Sequence, residues 1–314
     1  MTTNQETIGL AENAAEVQSE VKAAPPAEKR EKKRSVGKII ARIAIYAVFV
    51  LYAVWILIPF LVVLITSITP EEEYILSMKF IWMPKHPTLV AYKGVFVDNL
   101  FTPFWKAFLN TMWQVVPSTL ISLLVSGLSA YAFAKIPFKG KGTLFMCLLA
   151  TMMIPGAVLT VPSYLFYDAI GWSDGVLPLI IPGLFGGAGV TFFLRQFFCG
   201  LPDELMEAAR LDGLNDFRIY LQIVLPLTAP AFIAQGVFMF IGGYNSYQGP
   251  KLYLPNHPEL SPLSLALADF QGGQAQNTME VCASVIIALA PLLVLYCFLQ
   301  KYFTQGIAMT GLKA

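Results

Sequence analysis

The chain has 314 residues, of which 56% are hydrophobic and only 13% charged, with a net charge of +1. Soluble domains carry about 25% charged residues, so this composition excludes an ordinary soluble protein and gives no footing for a nucleic-acid partner. The chain reads as an integral membrane protein.

The charges are segregated, leaving uncharged runs at 43–70, 107–134, 142–167, 175–194, 219–250 and 281–300. Each run is long enough to cross the roughly 30 Å hydrocarbon core as a helix of about 20 residues. A helix satisfies its own backbone hydrogen bonds there, so the expected fold is an all-α membrane protein with six transmembrane helices.

Residues 1–38 form a tail rich in Ala, Glu and Pro that ends in the basic anchor KREKKR, and the tail is expected to be disordered. The apolar run behind the anchor is too long for a cleaved signal peptide and lacks a small-residue cleavage site. The transmembrane domain is then 39–314. Its first span, 43–67, leads into an outside segment, 68–103, that is too long for a turn and should form an ordered cap. The second span, 105–134, ends at the basic turn KIPFKGKG. The third, 143–167, leads to GWSDG, and the fourth, 176–198, to a polar stretch at 201–226. The fifth span covers 228–247, a second outside loop 249–276, and the sixth span 281–302. Prolines border or occupy most spans, Pro155, Pro182 and Pro230 among them, and each invites a bend. Gly183 and Gly187 form a GxxxG pair suited to close helix contact.

Lys and Arg in the short loops orient such a chain. With the N-terminus inside, the cytoplasmic side receives eight basic residues in the tail through Arg42. It also receives Lys135, Lys139, Lys141, Arg195, Arg210, Arg218, Lys301 and Lys313, against Lys79, Lys85, Lys93, Lys106 and Lys251 outside. Both termini and the stretch 201–226 are therefore expected in the cytoplasm. The four cysteines, Cys147, Cys199, Cys282 and Cys297, show neither CxxC spacing nor a His partner and are expected to pack as small apolar groups.

The stretch 201–226 predicts a helix, a glycine turn and a second helix. Pro202 suits a first-turn position, and Asp203 and Glu204 place negative charge beside the positive end of the dipole. Leu201, Leu205, Ala208 and Ala209 share one face at helical spacing, and Glu207 can pair with Arg210 in solvent. Gly213 stops the helix. Asn215 caps the next one, in which Phe217, Tyr220, Leu221 and Val224 repeat at i, i+3, i+4 and i+7. Pro226 then turns the chain into the fifth span. By composition alone this could be an amphipathic pair resting on lipid headgroups.

The spacing adds to that. Glu207, Ala208, Ala209, Gly213, Ile223, Leu225 and Pro226 stand as EAA, three residues, Gly, nine residues, Ile, one residue, Leu-Pro. This resembles the EAA loop of permease subunits of bacterial ABC importers, and Asp212 before the glycine is similar to the sugar branch. FLNT around Asn110, SAYAFAKIPFKGK, MMIP and the closing YFTQGIAMTGLKA resemble the MalG-type half of carbohydrate importers, so the likeness covers about 40–314. It implies the type I importer permease fold. It also implies a bacterial cytoplasmic-membrane location, a second permease subunit, two ATPase subunits that hold ATP and Mg, and an extracytoplasmic sugar-binding protein. The EAA loop, with Glu207, Ala208, Ala209, Asp212, Gly213, Ile223, Leu225 and Pro226, would dock in a cleft of the ATPase. One departure stands out. Where the family often has Trp-Asn, an acidic residue and an aromatic at the end of the fifth span, this chain has Tyr244, Asn245, Ser246 and Tyr247.

The chain has no GxxxxGK[ST] phosphate loop, so no cofactor is expected on it. No nucleophile stands with a base, no metal cluster is spelled out, and His86 and His257 read as surface residues, which together disfavour an enzyme. No ionisable residue lies in the middle of a span, which argues against an ion-coupled secondary carrier and suits a neutral solute. Candidate pathway groups, able to bond hydroxyls or stack on a sugar, are Asn110, Gln114, Ser118, Thr151, Ser163, Tyr164, Tyr167, Asn245 and Gln248. An importer for another solute would share the whole coupling argument.

Overall fold

The computed structural model describes residues 36–77, 81–97, 102–274 and 277–311; residues 1–35 of the expected disordered tail lie outside them, and its last three, 36–38, are already helical. Among the described residues all regular structure is helical. The chain divides into two units, Met1–Ile58 and Pro59–Ala314. The helix α1 (Val36–Ser67) begins in the first, where it presents an apolar surface: Tyr46, Val50, Leu51 and Trp55 are all more than half exposed, as a lipid-facing span requires. Tyr52 and Trp55 stack at 6.3 Å.

In the second unit, the segment 68–103, expected outside, is helical in part. It holds α2 (Glu71–Ser77), opened by three glutamates, and α3 (Val90–Val97). Ser67 donates to the Leu64 carbonyl and shares a 2.8 Å bond with the Tyr92 hydroxyl. The central element is α4 (Phe104–Lys135), against which the helices Leu177–Leu184, Ala188–Cys199 and Ala229–Tyr244 pack most extensively.

The stretch expected as the third span is not straight. It is α5 (Lys141–Met152) and α6 (Gly156–Ala169), bent by 95° where Pro155 lacks an N–H and drives Ile154 out of helical geometry. The fourth is α7 (Leu177–Leu184) and α8 (Ala188–Cys199), interrupted by Gly186 at φ +86°. Gly183 and Gly187 therefore flank a break, where Gly187 N–H donates to Ser126 Oγ at 2.9 Å. The expected close contact exists, but as a backbone bond to α4. Next come α9 (Asp203–Leu211) and α10 (Asp216–Leu227), which meets α11 (Ala229–Tyr244) at 81°. The chain closes with α12 (Gln248–Tyr253), α13 (Leu263–Asp269) and α14 (Thr278–Gly311). Among the described residues four stretches are long and apolar enough to cross a membrane, and as many as six if each bent pair counts as one.

Two apolar cores organise the unit. One gathers Leu123 and Tyr131 of α4, Leu194 and Phe198 of α8, Met206 and Ala209 of α9, Ile219, Tyr220 and Val224 of α10, and Phe232 of α11. The other joins Val95 of α3, Phe104 and Ala107 of α4, Tyr244 of α11, Leu263 and Ala266 of α13, and Ala283 of α14. The cysteines depart from expectation: Cys147, Cys199 and Cys297 are exposed and only Cys282 is half-buried. They lie on outward helix faces rather than in a core.

Candidate functional site: the polar joint between α8 and α11

The stretch 201–226 folds as a helix, a glycine turn and a second helix, with several differences in register. Pro202 precedes α9 in an extended conformation and Asp203 opens the helix, one residue later than expected. The end is a Schellman motif: Leu214 N–H reaches the Ala209 carbonyl and Gly213 N–H the Arg210 carbonyl, both at 3.0 Å. Gly213 sits at φ +82°, a left-handed geometry that costs an L side chain about 1–2 kcal/mol. Asn215 caps α10 by accepting from Arg218 N–H at 2.9 Å.

Met206 and Ala209 are the buried face of α9, whereas Leu205 is 42% and Leu211 90% exposed, and Glu207, Ala208 and Asp212 face solvent. Leu205 and Ala208 were expected to share a packed face with Ala209. The inward face lies instead one residue on from Leu205, because α9 rests on the core through Met206. Arg210 pairs with Asp216 at 2.9 Å rather than with Glu207, since the tight turn brings α10 back beside α9. That hydrogen-bonded partner raises the Arg210 pKa further.

α10 also departs from the simple repeat. Residues Tyr220–Val224 form a wide π turn in which Leu225 N–H bonds the Tyr220 carbonyl five residues back. The extra residue per turn rotates the buried face onto Ile219, Tyr220 and Val224 and leaves Phe217 57% and Leu221 41% exposed. Ile223 and Leu225 pack half-buried against the core. Pro226 is exposed within the helix, and the chain turns two residues later at Thr228. There Thr228 Oγ1 donates to the Val224 carbonyl at 2.6 Å, and its own carbonyl accepts from Ala231 and Phe232 N–H. Pro230 in the first turn of α11 needs no donor there.

The basic residues beside this joint, read in the sequence only as orienting charges, also have a structural task. Lys135, with its side chain 5% exposed, donates to Asp203 Oδ1 at 2.5 Å and to the Leu201 carbonyl at 2.6 Å. The ammonium holds the Asp203 carboxyl below its usual range. Lys141 Nζ donates to the Ala134 and Ile136 carbonyls at 3.1 Å. Arg195 Nε donates to the Phe133 carbonyl at 3.0 Å and lies 4.1 Å over the Phe145 ring. Arg195 and Lys141 thus hold the Phe133 and Ala134 carbonyls at the end of α4, where the dipole favours positive charge. Lys135 also ties that end to the start of α9.

The candidate pathway residues do not form one group. Asn110 Nδ2 donates to the Glu259 and Ser261 carbonyls at 2.9 and 3.0 Å, and Gln114 Nε2 to the Leu260 carbonyl at 2.9 Å. Thr111 Oγ1 accepts from Leu263 N–H at 2.8 Å, and Thr102 Oγ1 donates to the Pro258 carbonyl. One face of α4 therefore staples the 258–263 turn, which accounts for Asn110 and Thr111 of the FLNT run. Thr151 is exposed and bonds within its own helix. Tyr164 and Tyr167 pack on Tyr253, with Trp172 on Tyr167. Asn245 lines a cavity of about 380 Å³ with Tyr247, Ser264 and Gln271. Gln248 is exposed at the start of α12. His257 is not a bare surface residue: its ring nitrogens lie 3.5 Å from Asp174 and 3.2 Å from Glu259. His86 is exposed. Among the described residues no group of His, Cys, Asp and Glu could hold a metal ion.

Comparisons with known proteins fit this architecture. Residues 122–309, which include the joint, match the family model of the binding-protein-dependent transport system inner membrane component. The arabinooligosaccharides transport system permease protein AraQ of Halalkalibacterium halodurans is 28% identical over 256 residues, 81% of this chain and 90% of that protein. An ABC transporter permease of a Caldicellulosiruptor species is 32% identical over 269 residues, 84% of this chain and 96% of the relative. The crystal structure of a bacterial ABC transporter involved in the import of the acidic polysaccharide alginate contains a chain that superposes with a TM-score of 0.73 at 24% identity. That match covers 89% of this chain and 100% of that one, and establishes the shared fold. The chain belongs to the binding-protein-dependent transport system inner membrane components, and is a membrane-embedded transport permease rather than an enzyme.

Proposed function

We propose that the chain is one of two permease subunits of an ATP-driven importer that moves a sugar or oligosaccharide into the cell by alternating access. In this reading each bent helix pair counts as a single span, giving six, and both termini lie in the cytoplasm. A binding protein delivers the solute from outside, and two ATPase subunits hold ATP and Mg on the cytoplasmic side. The relatives that carry arabinooligosaccharides and alginate support a carbohydrate, and expected spans with no ionisable residue in their middle suit one.

The observation that carries the coupling role is the two-sidedness of α9. Met206 and Ala209 belong to the core built from α4, α8, α10 and α11, while Leu205, Ala208 and Leu211 stay exposed on the opposite side. A partner gripping that side would displace a close-packed core, which transmits a push because it has little room to absorb one. Glu207 and Asp212 supply the polar contacts, Ala208 and Gly213 admit a close approach, and Ile223, Leu225 and Pro226 carry the movement into α11. Purification of the chain with its companion subunits tests this. The account expects ATPase subunits to copurify and their hydrolysis to rise when sugar-loaded binding protein is added. Uptake that survives loss of the ATPases and collapses with the ion gradient would mean a secondary carrier instead.

A further inference from the structure

α4 carries a polar stripe, Gln114, Ser118, Ser122 and Ser126, one residue per turn, with Thr119 beside it. Most of these groups are accounted for. Gln114 Nε2 holds the Leu260 carbonyl, Ser118 Oγ donates to carbonyls of its own helix, and Ser126 Oγ receives Gly187 N–H from the break between α7 and α8. Ser122 and Thr119 differ. Both residues are nine-tenths or more buried, at 4% and 9% exposure, yet among the described residues neither hydroxyl has a hydrogen-bond partner. A serine or threonine in a helix normally returns its proton to the carbonyl four residues back when nothing better is offered.

Both residues line a cavity of about 210 Å³ between α4, α7 and α11. Gln114 and Ser118 line it too, as do Gly183, where α7 approaches its break, and Gly243 near the end of α11. The cavity runs from Ser122 and Met239, in mid-helix, to Pro250 and Pro262 at the predicted outer end. Unspent hydroxyls at membrane depth beside an interrupted helix mark a place for a polar guest. None of the twelve lining residues is ionisable, so the guest is uncharged, and Leu179, Met239 and Val115 offer an apolar wall.

We propose that this cavity is a subsite for one neutral sugar ring inside the single subunit, with Ser122, Thr119 and the Gln114 Oε1 atom bonding its hydroxyls. The proposal rests on the carbohydrate reading above and adds the site and the neutrality of the ring. Each hydroxyl of the guest would replace a water it leaves behind, so loss of one partner should weaken binding about tenfold.

The test uses the detergent-purified permease pair with its ATPases, without the soluble binding protein. Thermal unfolding is followed with L-arabinose, D-glucose, D-galactose or the anionic D-galacturonate present. At least one neutral sugar should raise the midpoint by a few degrees in the native complex. The near-isosteric variants Ser122→Val and Thr119→Val should each largely lose that shift while keeping the sugar-free midpoint within a few degrees. Should one variant fail to assemble, the other carries the comparison. The proposal is overturned by no response to any neutral sugar, by an equal response to galacturonate, or by a shift that persists in both variants. Copurification of the ATPases, read from the same preparation, reports separately on the importer assignment.

Discussion

Replacing tyrosine by phenylalanine should have opposite effects at two positions in this molecule, and the structure fixes both signs. The hydroxyls of Tyr131 and Tyr220 are buried and have no hydrogen-bond partner among the described residues. Their rings tilt against each other at 5.6 Å, and Tyr220 itself is 1% exposed. An unsatisfied buried hydroxyl costs about 1–3 kcal/mol, and removing only the oxygen leaves the packing of the ring intact. Tyr220→Phe should therefore stabilise the complex by about 1 kcal/mol, which in a chain of this size raises the unfolding midpoint by about 2 °C. Tyr244 is equally buried, but its hydroxyl donates to the Ala288 carbonyl at 2.7 Å. Tyr244→Phe leaves that carbonyl without its donor and should cost about 1 kcal/mol, lowering the midpoint by a similar amount. Tyr131→Phe should follow Tyr220→Phe, with less than additive gain in the double variant because the two rings touch. The assay is thermal unfolding of the purified complex at fixed concentration. A loss of stability in Tyr220→Phe as large as that in Tyr244→Phe would refute the reasoning, since it would show that the hydroxyl is bonded after all.

Other expectations concern the joint itself. Gly213→Pro removes the N–H that reaches Arg210 and forbids the positive φ, a change of about 3 kcal/mol or more. It should abolish uptake and ATPase association while membrane insertion persists, as membrane fractionation and pull-down would report. Gly213→Ala meets no atom within 4 Å, so it should cost only the conformational 1–2 kcal/mol or so and leave partial activity. Gly127→Ala would place its Cβ 2.5 Å from the Tyr220 hydroxyl and 2.7 Å from Phe232, and should destabilise by about 1–3 kcal/mol through overpacking. The Asp203 carboxyl, held below its usual range by Lys135, has a folded pKa under its unfolded value near about 3.9. Its contribution is present above that value and lost as pH falls through the lower folded one. Hydrogen exchange across 203–211, corrected for intrinsic rate, should thus hold steady from about pH 8 to 5, and Asp203→Asn should raise it throughout.

The membrane class, the helical fold and the helix–turn–helix at 201–226 were legible because each rests on local signals: apolar length, caps and a glycine. Gly213 and Asn215 act where the sequence put them, since capping geometry involves only near neighbours. Register was less legible. The π turn at Tyr220–Val224 leaves no mark on hydrophobic period, so Phe217 and Leu221 were assigned to a face they do not occupy. Long-range bonds were invisible for another reason. Asn110 and Gln114 look like pathway groups until the 258–261 turn, roughly 150 residues away, is seen to take their amide protons. Ser122 and Thr119 escaped notice because an unspent hydroxyl is defined by what fails to surround it. Bends near Pro155 and just before Pro230, at Thr228, were foreseeable in kind, and their sizes of 95° and 81° follow from packing that sequence does not state.

Site-directed crosslinking across the exposed side of α9 tests the coupling claim most directly. A photoreactive group at Leu205→Cys or Ala208→Cys should attach to the ATPase subunit and block hydrolysis-driven uptake, whereas the same group at the half-exposed Tyr164, on α6 and away from the joint, should not. Efficient uptake with the groups at 205 and 208 in place, and no ATPase adduct at either, would contradict the account.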